Sequence, residues 1–190
     1  SNDLVLDNTT QNDVVENELY ISLSGEKTDT YVAPNAPVFA VMIPNDTYGA
    51  RPHTGLKDAG IIYESLTEGG ITRFLALYQG ENVEKIGPIR SLRLHFLSIA
   101  AGYNAAIVHV GGNDDALVKV GSNNEKYKNL DQMSTNKYFY RDYTYNKSGN
   151  PNTMYVSFED LQNFSNEKKY KETSDFEPFA RKDEKITEGE

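Results

Sequence analysis

Residues 69–103 read GGITRFLALYQGENVEKIGPIRSLRLHFLSIAAGY, and how this stretch divides into elements decides the fold. Ile71 to Gln79 is an apolar run of strand length, interrupted on one face by Arg73. Gly69-Gly70 just before it suits a hairpin turn that needs positive φ, with Ile61 to Thr67 as the other arm. On a two-residue turn, Glu68 faces Ile71 and Leu66 faces Arg73. Ile62, Glu64, Leu66 and Glu68 then share a face with Ile71, Arg73, Leu75 and Leu77. Two carboxylates and a guanidinium on such a face either pair with one another or border a wet cleft, because unpaired buried charge is costly.

Beyond the loop GENVEK, Gly87-Pro88 reads as a helix opening, since the first turn tolerates proline. Leu92, Leu94, Phe96, Leu97, Ile99 and Ala100 continue an apolar helix over 90–102. The macrodipole favours acids in a first turn, yet Arg90 and Arg93 fall there, three apart and on one side. They call for an anion. Glu64 or Glu68 from the hairpin would serve, and so would a ligand carboxylate or phosphate.

Working outward, Val38 to Ile43 and Ala105 to Val110 are continuous apolar runs that fit strands covered on both faces. Between the first of these and the hairpin, a loop rich in glycine and proline carries Arg51 and His53, as site residues or as a solvated loop. Gly111-Gly112 and a cap at Asn113 or Asp114 lead into a helix over 114–120. His109 at the strand's end is a candidate proton carrier, or simply a packed histidine. Lys137 to Tyr145 alternates aromatic and polar residues, so Tyr138, Tyr140 and Tyr143 form either a stacking platform or ordinary half-buried strand aromatics. Ser157 with Asp160 resembles a capping box that opens a helix over 158–170. The expected fold is a single α/β domain: a mixed sheet containing a β-hairpin, covered by helices.

The chain has 190 residues, enough for one sizeable core with tails. Residues 1–30 hold one basic and seven acidic side chains and read as an acidic flexible tether, 31–172 as the domain, and 173–190 as a charged linker. With a formal net charge of −9 and no basic stripe, nucleic acid is not an expected partner. The absence of cysteine excludes disulfides and thiolate chemistry. His53, His95 and His109 lack metal-ligand spacing, and no cofactor motif is present, so neither metal nor cofactor is expected. No apolar run reaches the roughly 20 residues that span a bilayer. Glu64 and Glu68 stand roughly 13 Å apart along a strand, too far for the usual glycosidase pair.

Five stretches together resemble one family: ISLSGEKTD, VFAVMIPN, ARPHTGLKDAGIIYESLTEGGITRFLALYQ, EKIGPIRSLR and YRDYTYNKSGNPNTMYVSFEDL. They are similar to the amino-terminal domain of the YerB-like lipoproteins of Gram-positive bacteria, over about Tyr20 to Leu161. The resemblance implies a lipidated amino terminus on the outer face of the cytoplasmic membrane, a tether, this domain, and a second, smaller β-rich domain beyond the linker. It implies no reaction. Where relatives usually show Pro-His-Asn, this chain has Asn150-Pro151-Asn152-Thr153, so no role of that histidine carries over.

The leading expectation is an extracytoplasmic domain that binds an anionic small molecule or cell-envelope fragment through Arg73, Arg90, Arg93, Glu64, Glu68 and His109. One alternative is a hydrolase of envelope material, with Glu64 or Glu68 as base and His109 as acid or base. Another is an adaptor for an envelope protein, which predicts an exposed apolar patch.

Overall fold

The computed structural model describes residues 18–122 and 126–180. Strands β1 (Leu19–Tyr20) and β2 (Lys27–Thr28) form a small antiparallel ribbon. The main sheet contains β3 (Phe39–Pro44), β4 (Ile61–Leu66), β5 (Thr72–Tyr78), β6 (Ala106–His109) and β7 (Lys128–Asp131), in the order β4-β5-β3-β6-β7. It is mixed: β3, β6 and β7 run parallel, and β5 is antiparallel to both β3 and β4. Helices α1 (Phe96–Gly102), α2 (Asp114–Gly121) and α3 (Phe158–Glu167) complete the domain, with β8 (Tyr140–Arg141) and β9 (Met154–Tyr155) as a second ribbon.

Every residue of β3 is buried, which is why its sequence is apolar without alternation: each face meets its own core. Phe39, Val41 and Ile43 join Ala76, Tyr78, Val108 and Leu130 beneath Phe158, Leu161 and Phe164 of α3. Ala40 and Met42 join Leu75, Leu77 and Ile107 beneath Phe96, Leu97 and Ala100 of α1 and Ala116 and Val120 of α2. Helix α3 opens as its sequence implies, with Ser157 Oγ accepting from the Asp160 backbone N–H at 3.0 Å. The mixed α/β sheet with its hairpin and covering helices is thus the architecture expected from sequence.

Three local expectations are corrected. The hairpin turns on three residues, Glu68-Gly69-Gly70, with Thr67 N–H donating to Ile71 O at 2.7 Å and both glycines at positive φ. The extra residue shifts the register by one, so Ser65 opposes Arg73, Leu66 opposes Thr72 and Glu64 opposes Phe74. A one-residue slip in register changes which side chains share a face. Glu64 therefore lies on the opposite side of the sheet from Arg73.

The expected helix over 90–102 begins only at Phe96. Pro88 follows a cis peptide bond, and residues 88–91 belong to no helix. Arg90 N–H donates to Met42 O at 2.9 Å and Val110 N–H donates to Arg90 O at 3.1 Å, while Leu92 N–H reaches Gly111 O at 2.9 Å. Strands β3 and β6 pair only from Phe39 to Val41, and the 90–92 segment wedges into the gap where they part. Arg90 and Arg93 are not in a helix's first turn, and the macrodipole has no part in placing them.

The domain also reaches past both expected boundaries. Ile21 and Leu23 are buried, although 1–30 reads as tether, and Leu23 N–H donates to Gln79 Oε1 at 2.8 Å. Ser174, in the expected linker, is buried and accepts from Val38 N–H at 2.9 Å. Residues 1–17 and 181–190 of those two segments lie outside the described residues. The aromatic stretch 137–145 gives only a two-residue strand: Tyr138 stacks on Phe164 in the core, while Tyr140 and Tyr143 are exposed.

Candidate functional site

At the carboxyl end of β3, where parallel strands part, lies a pocket of ≈ 400 Å³ lined by Asp46, Tyr48, Thr67, Glu68, Ile71, Arg73, Arg90, Asn150, Pro151 and Asn152. Such strand ends are common ligand positions in α/β sheets. Three segments converge here. The hairpin brings Glu68 and Arg73, the wedge between β3 and β6 brings Arg90, and the loop between β8 and β9 brings the asparagines.

The loop wall is held by side-chain amides. Asn146 Nδ2 donates to Gly49 O at 2.9 Å and Asn152 O at 3.1 Å, and Asn150 Oδ1 accepts from Asn152 N–H at 2.8 Å. Gly49, at φ +88, is required by this contact, because a Cβ there would meet Asn146 Oδ1 at 2.3 Å.

Arg73 is 8 % exposed and donates through Nη1 to Ser91 O, while its Nε has no partner. Burial, together with the positive charges of Arg93 and Arg90, lowers its pKa to about 10, so it stays charged at neutral pH. Arg90 is half-buried, and among the described residues its guanidinium has neither a hydrogen bond nor an ion pair. Burial also pulls its pKa below the ordinary value. Arg93 donates from Nε to Glu68 Oε1 at 2.6 Å and from Nη1 to Leu92 O at 2.8 Å. That bond holds the Glu68 carboxyl below its usual range.

Of the six residues expected to share a site, Arg73, Arg90 and Glu68 line the pocket, and Arg93 borders it through its bond to Glu68. Glu64 stands apart. It accepts from Thr72 Oγ1 at 2.6 Å and Asn45 Nδ2 at 3.1 Å, and Asn45 Oδ1 in turn accepts from Arg51 at 2.6 Å. His109 is fully buried, with Nδ1 2.8 Å from Gly111 O and Nε2 2.8 Å from Asn129 Oδ1, and it does not line the pocket. Strands β5 and β3 separate Glu64 from His109, three strand spacings or roughly 14 Å. No hydrogen bond joins His109 to Glu64 or to Glu68, the two bases that a hydrolase would draw on: His109 bonds Gly111 and Asn129, and Glu68 bonds Arg93. His53 packs edge-on against Phe74 and lies 2.7 Å from Pro44 O, as an internal residue rather than a pocket wall.

Asp46, Tyr48 and Asn150 to Asn152 were not among the expected site residues. The asparagine-rich run NKSGNPNT was the available signal, but it reads as a turn until the amide contacts to Tyr48 and Gly49 are seen.

A family model described as the N-terminal domain of a protein of unknown function, DUF3048, matches residues 23–171. The chain belongs to this family. All the pocket-lining residues fall inside the DUF3048 match. A relative is YerB of Bacillus subtilis (strain 168), named as a candidate lipoprotein, which is 32% identical over 162 residues covering 85% of this chain and 47% of YerB. The crystal structure of YerB protein from Bacillus subtilis matches with a TM-score of 0.76 at 29% identity, covering 87% of this chain and 55% of that one. The chain thus spans about half the length of these relatives, and it shares their DUF3048 fold.

Proposed function

We propose that this domain is the amino-terminal part of a membrane-tethered extracytoplasmic protein and that its pocket binds the anionic group of a small molecule or cell-envelope fragment. The likeness to a relative named as a candidate lipoprotein supports the tether and location. The pocket itself supports the binding. Its single strongest observation is Arg90, a half-buried guanidinium with no hydrogen-bond or ion-pair partner among the described residues, beside the equally cationic Arg73. Grouping like charges in a desolvated place is unfavourable, and an anion bound between them relieves both the repulsion and the lost hydration.

Isothermal titration with acetate and inorganic phosphate tests this. Arg90→Gln leaves a shorter polar side chain and removes the charge, and charge-assisted hydrogen bonds are worth about 1.5–3 kcal/mol. The expected result is anion binding by the wild type that weakens roughly tenfold or more in the variant. Equal binding by both proteins, or none by either, refutes the assignment.

A further inference from the structure

We propose that the pocket selects a monoanionic carboxylate carried on a neutral body with a nearby N–H or O–H donor, and that Asp46 is the residue that turns away dianions. This rests on the reading of the pocket as an anion site.

The first support is the charge balance. Arg73, Arg90, Asp46 and Glu68 line the pocket and Arg93 is bonded to Glu68 from outside the lining, so three positive charges stand against two negative ones, an excess of one. His95 feels the same group of charges, and burial pushes its pKa below the ordinary value, which favours the neutral imidazole at neutral pH. One negative charge on a ligand cancels that excess. A second would face Asp46 and Glu68 with no cation left to meet it.

The position of Asp46 sharpens the point. Its Oδ1 accepts from Tyr48 N–H at 2.8 Å and lies 3.5 Å from Asn152 Nδ2, and no lysine or arginine among the described residues is bonded to it. Glu68, by contrast, is engaged by Arg93. Asp46 is therefore the carboxylate whose field is least cancelled where a ligand anion would sit. Guanidinium groups also suit a planar carboxylate, which two parallel N–H bonds can grip at once.

The second support concerns the neutral half of the ligand. Asn152 is 2 % exposed, and its Nδ2 faces two acceptors, Tyr48 O at 3.2 Å and Asp46 Oδ1. That contact fixes the amide orientation and leaves Oδ1 as an acceptor with no partner. Beside it stand Pro151, Ile71 and the exposed ring of Tyr48, an apolar rim. An N-acylated amino acid and a sugar acid both offer a carboxylate, a donor close to it and a compact body.

Titrating the full chain at about pH 8, where phosphate is a dianion, decides the matter. The probes are N-acetylalanine, glucuronate, acetate, dimethyl phosphate and inorganic phosphate, each with wild type, Asp46→Asn and Arg90→Gln. Asparagine keeps the Oδ1 acceptor for Tyr48, while Asp46→Asn removes the charge and puts an N–H donor in place of Oδ2. N-acetylalanine or glucuronate should bind most tightly, acetate less so, and inorganic phosphate weakest. Whichever of the first two leads identifies a peptide or a sugar source. Coulomb energy scales with ligand charge, so Asp46→Asn should strengthen phosphate binding roughly tenfold and monoanion binding only about threefold. On wild type alone, dimethyl phosphate, a monoanion, should outbind inorganic phosphate. Selectivity is overturned, with the anion site intact, if phosphate binds wild type as tightly as the carboxylates or if Asp46→Asn shifts every probe by one factor. An Arg90→Gln variant that binds all probes as wild type does overturns the anion site itself.

Discussion

Arg93 holds Glu68 at 2.6 Å, and this bond engages the hairpin-tip carboxylate with one guanidinium, while among the described residues Arg73 and Arg90 form no ion pair. The Glu68 side chain is 66% exposed, so the pair itself adds little to folding. Its consequence is electrostatic. Glu68→Gln should change unfolding free energy by no more than about 1 kcal/mol in urea titrations. Acetate affinity, read by calorimetry, should rise several-fold as the pocket gains positive charge. A fall in affinity would mean that Glu68 contacts the ligand directly.

Gly49 is the position where the asparagine wall depends on backbone freedom. Alanine there would be strained at φ +88, and its Cβ would lie 2.3 Å from Asn146 Oδ1 and 2.9 Å from Asn150 Nδ2. Gly49→Ala should therefore cost about 2 kcal/mol in chemical denaturation and weaken anion binding in parallel. Gly149→Ala is an informative contrast: it shares positive φ but meets nothing within 4 Å, so it should cost less and leave binding unchanged.

The layers of this fold were legible because burial leaves a strong mark on sequence: Val38 to Ile43 and Ala105 to Val110 are apolar without alternation, and both are central strands. Ser157 and Asp160 announced α3 through local chemistry. The failures have local causes too. Gly69-Gly70 admits a two-residue or a three-residue turn, and nothing in the flanking residues decides between them, yet the choice determines whether Glu64 shares a face with Arg73. Ile89 to Leu92 is apolar enough for a helix, but it is claimed by Met42 O and Gly111 O, acceptors that exist only once β3 and β6 have parted. The arginines could be grouped from sequence, whereas Asp46 and Asn152, 106 residues apart, meet only through the fold.

Glu81 predicts an unusual pH response. Burial raises its pKa from 4.5 to about 7, with Glu26 and Asp58 adding repulsion, and its Oε1 has no partner. A carboxyl whose folded pKa exceeds its unfolded value stabilises the fold in its protonated form. That contribution is full below about pH 4.5 and is lost as pH rises through about 7. Asp142, held below its ordinary value by Lys85, acts oppositely and loses its contribution as pH falls below that value. Thermal unfolding across this range should show stability declining from about pH 5 to about pH 8. Glu81→Gln, which can still accept from Gln79 N–H, should flatten that decline by about 2 kcal/mol. An unchanged slope in the variant would assign the decline to other groups.

Leu23 and Gln79 test how far the domain extends toward its amino terminus. Gln79 is fully buried at the end of β5. Its Oε1 accepts from Leu23 N–H at 2.8 Å, and its Nε2 donates to Pro34 O at 3.2 Å and Ala36 O at 3.0 Å. One amide thus satisfies three backbone groups from the segment that precedes β3. Replacing it with an apolar residue of similar size leaves them unpaired in a dry setting, at about 1–3 kcal/mol for each buried group. Leu23 itself sits in the α1-side core, and large-to-small changes at such sites cost about 2–5 kcal/mol. Leu23→Ala and Gln79→Met should each lower the unfolding free energy in urea titrations by amounts of this size. The bond uses the Leu23 backbone N–H, which Leu23→Ala retains, but both residues hold the same segment against the sheet, so their combined effect should fall short of the sum. If Leu23→Ala instead unfolds like wild type, Leu23 contributes no core, and the tether extends towards residue 30 as the acidic composition implies.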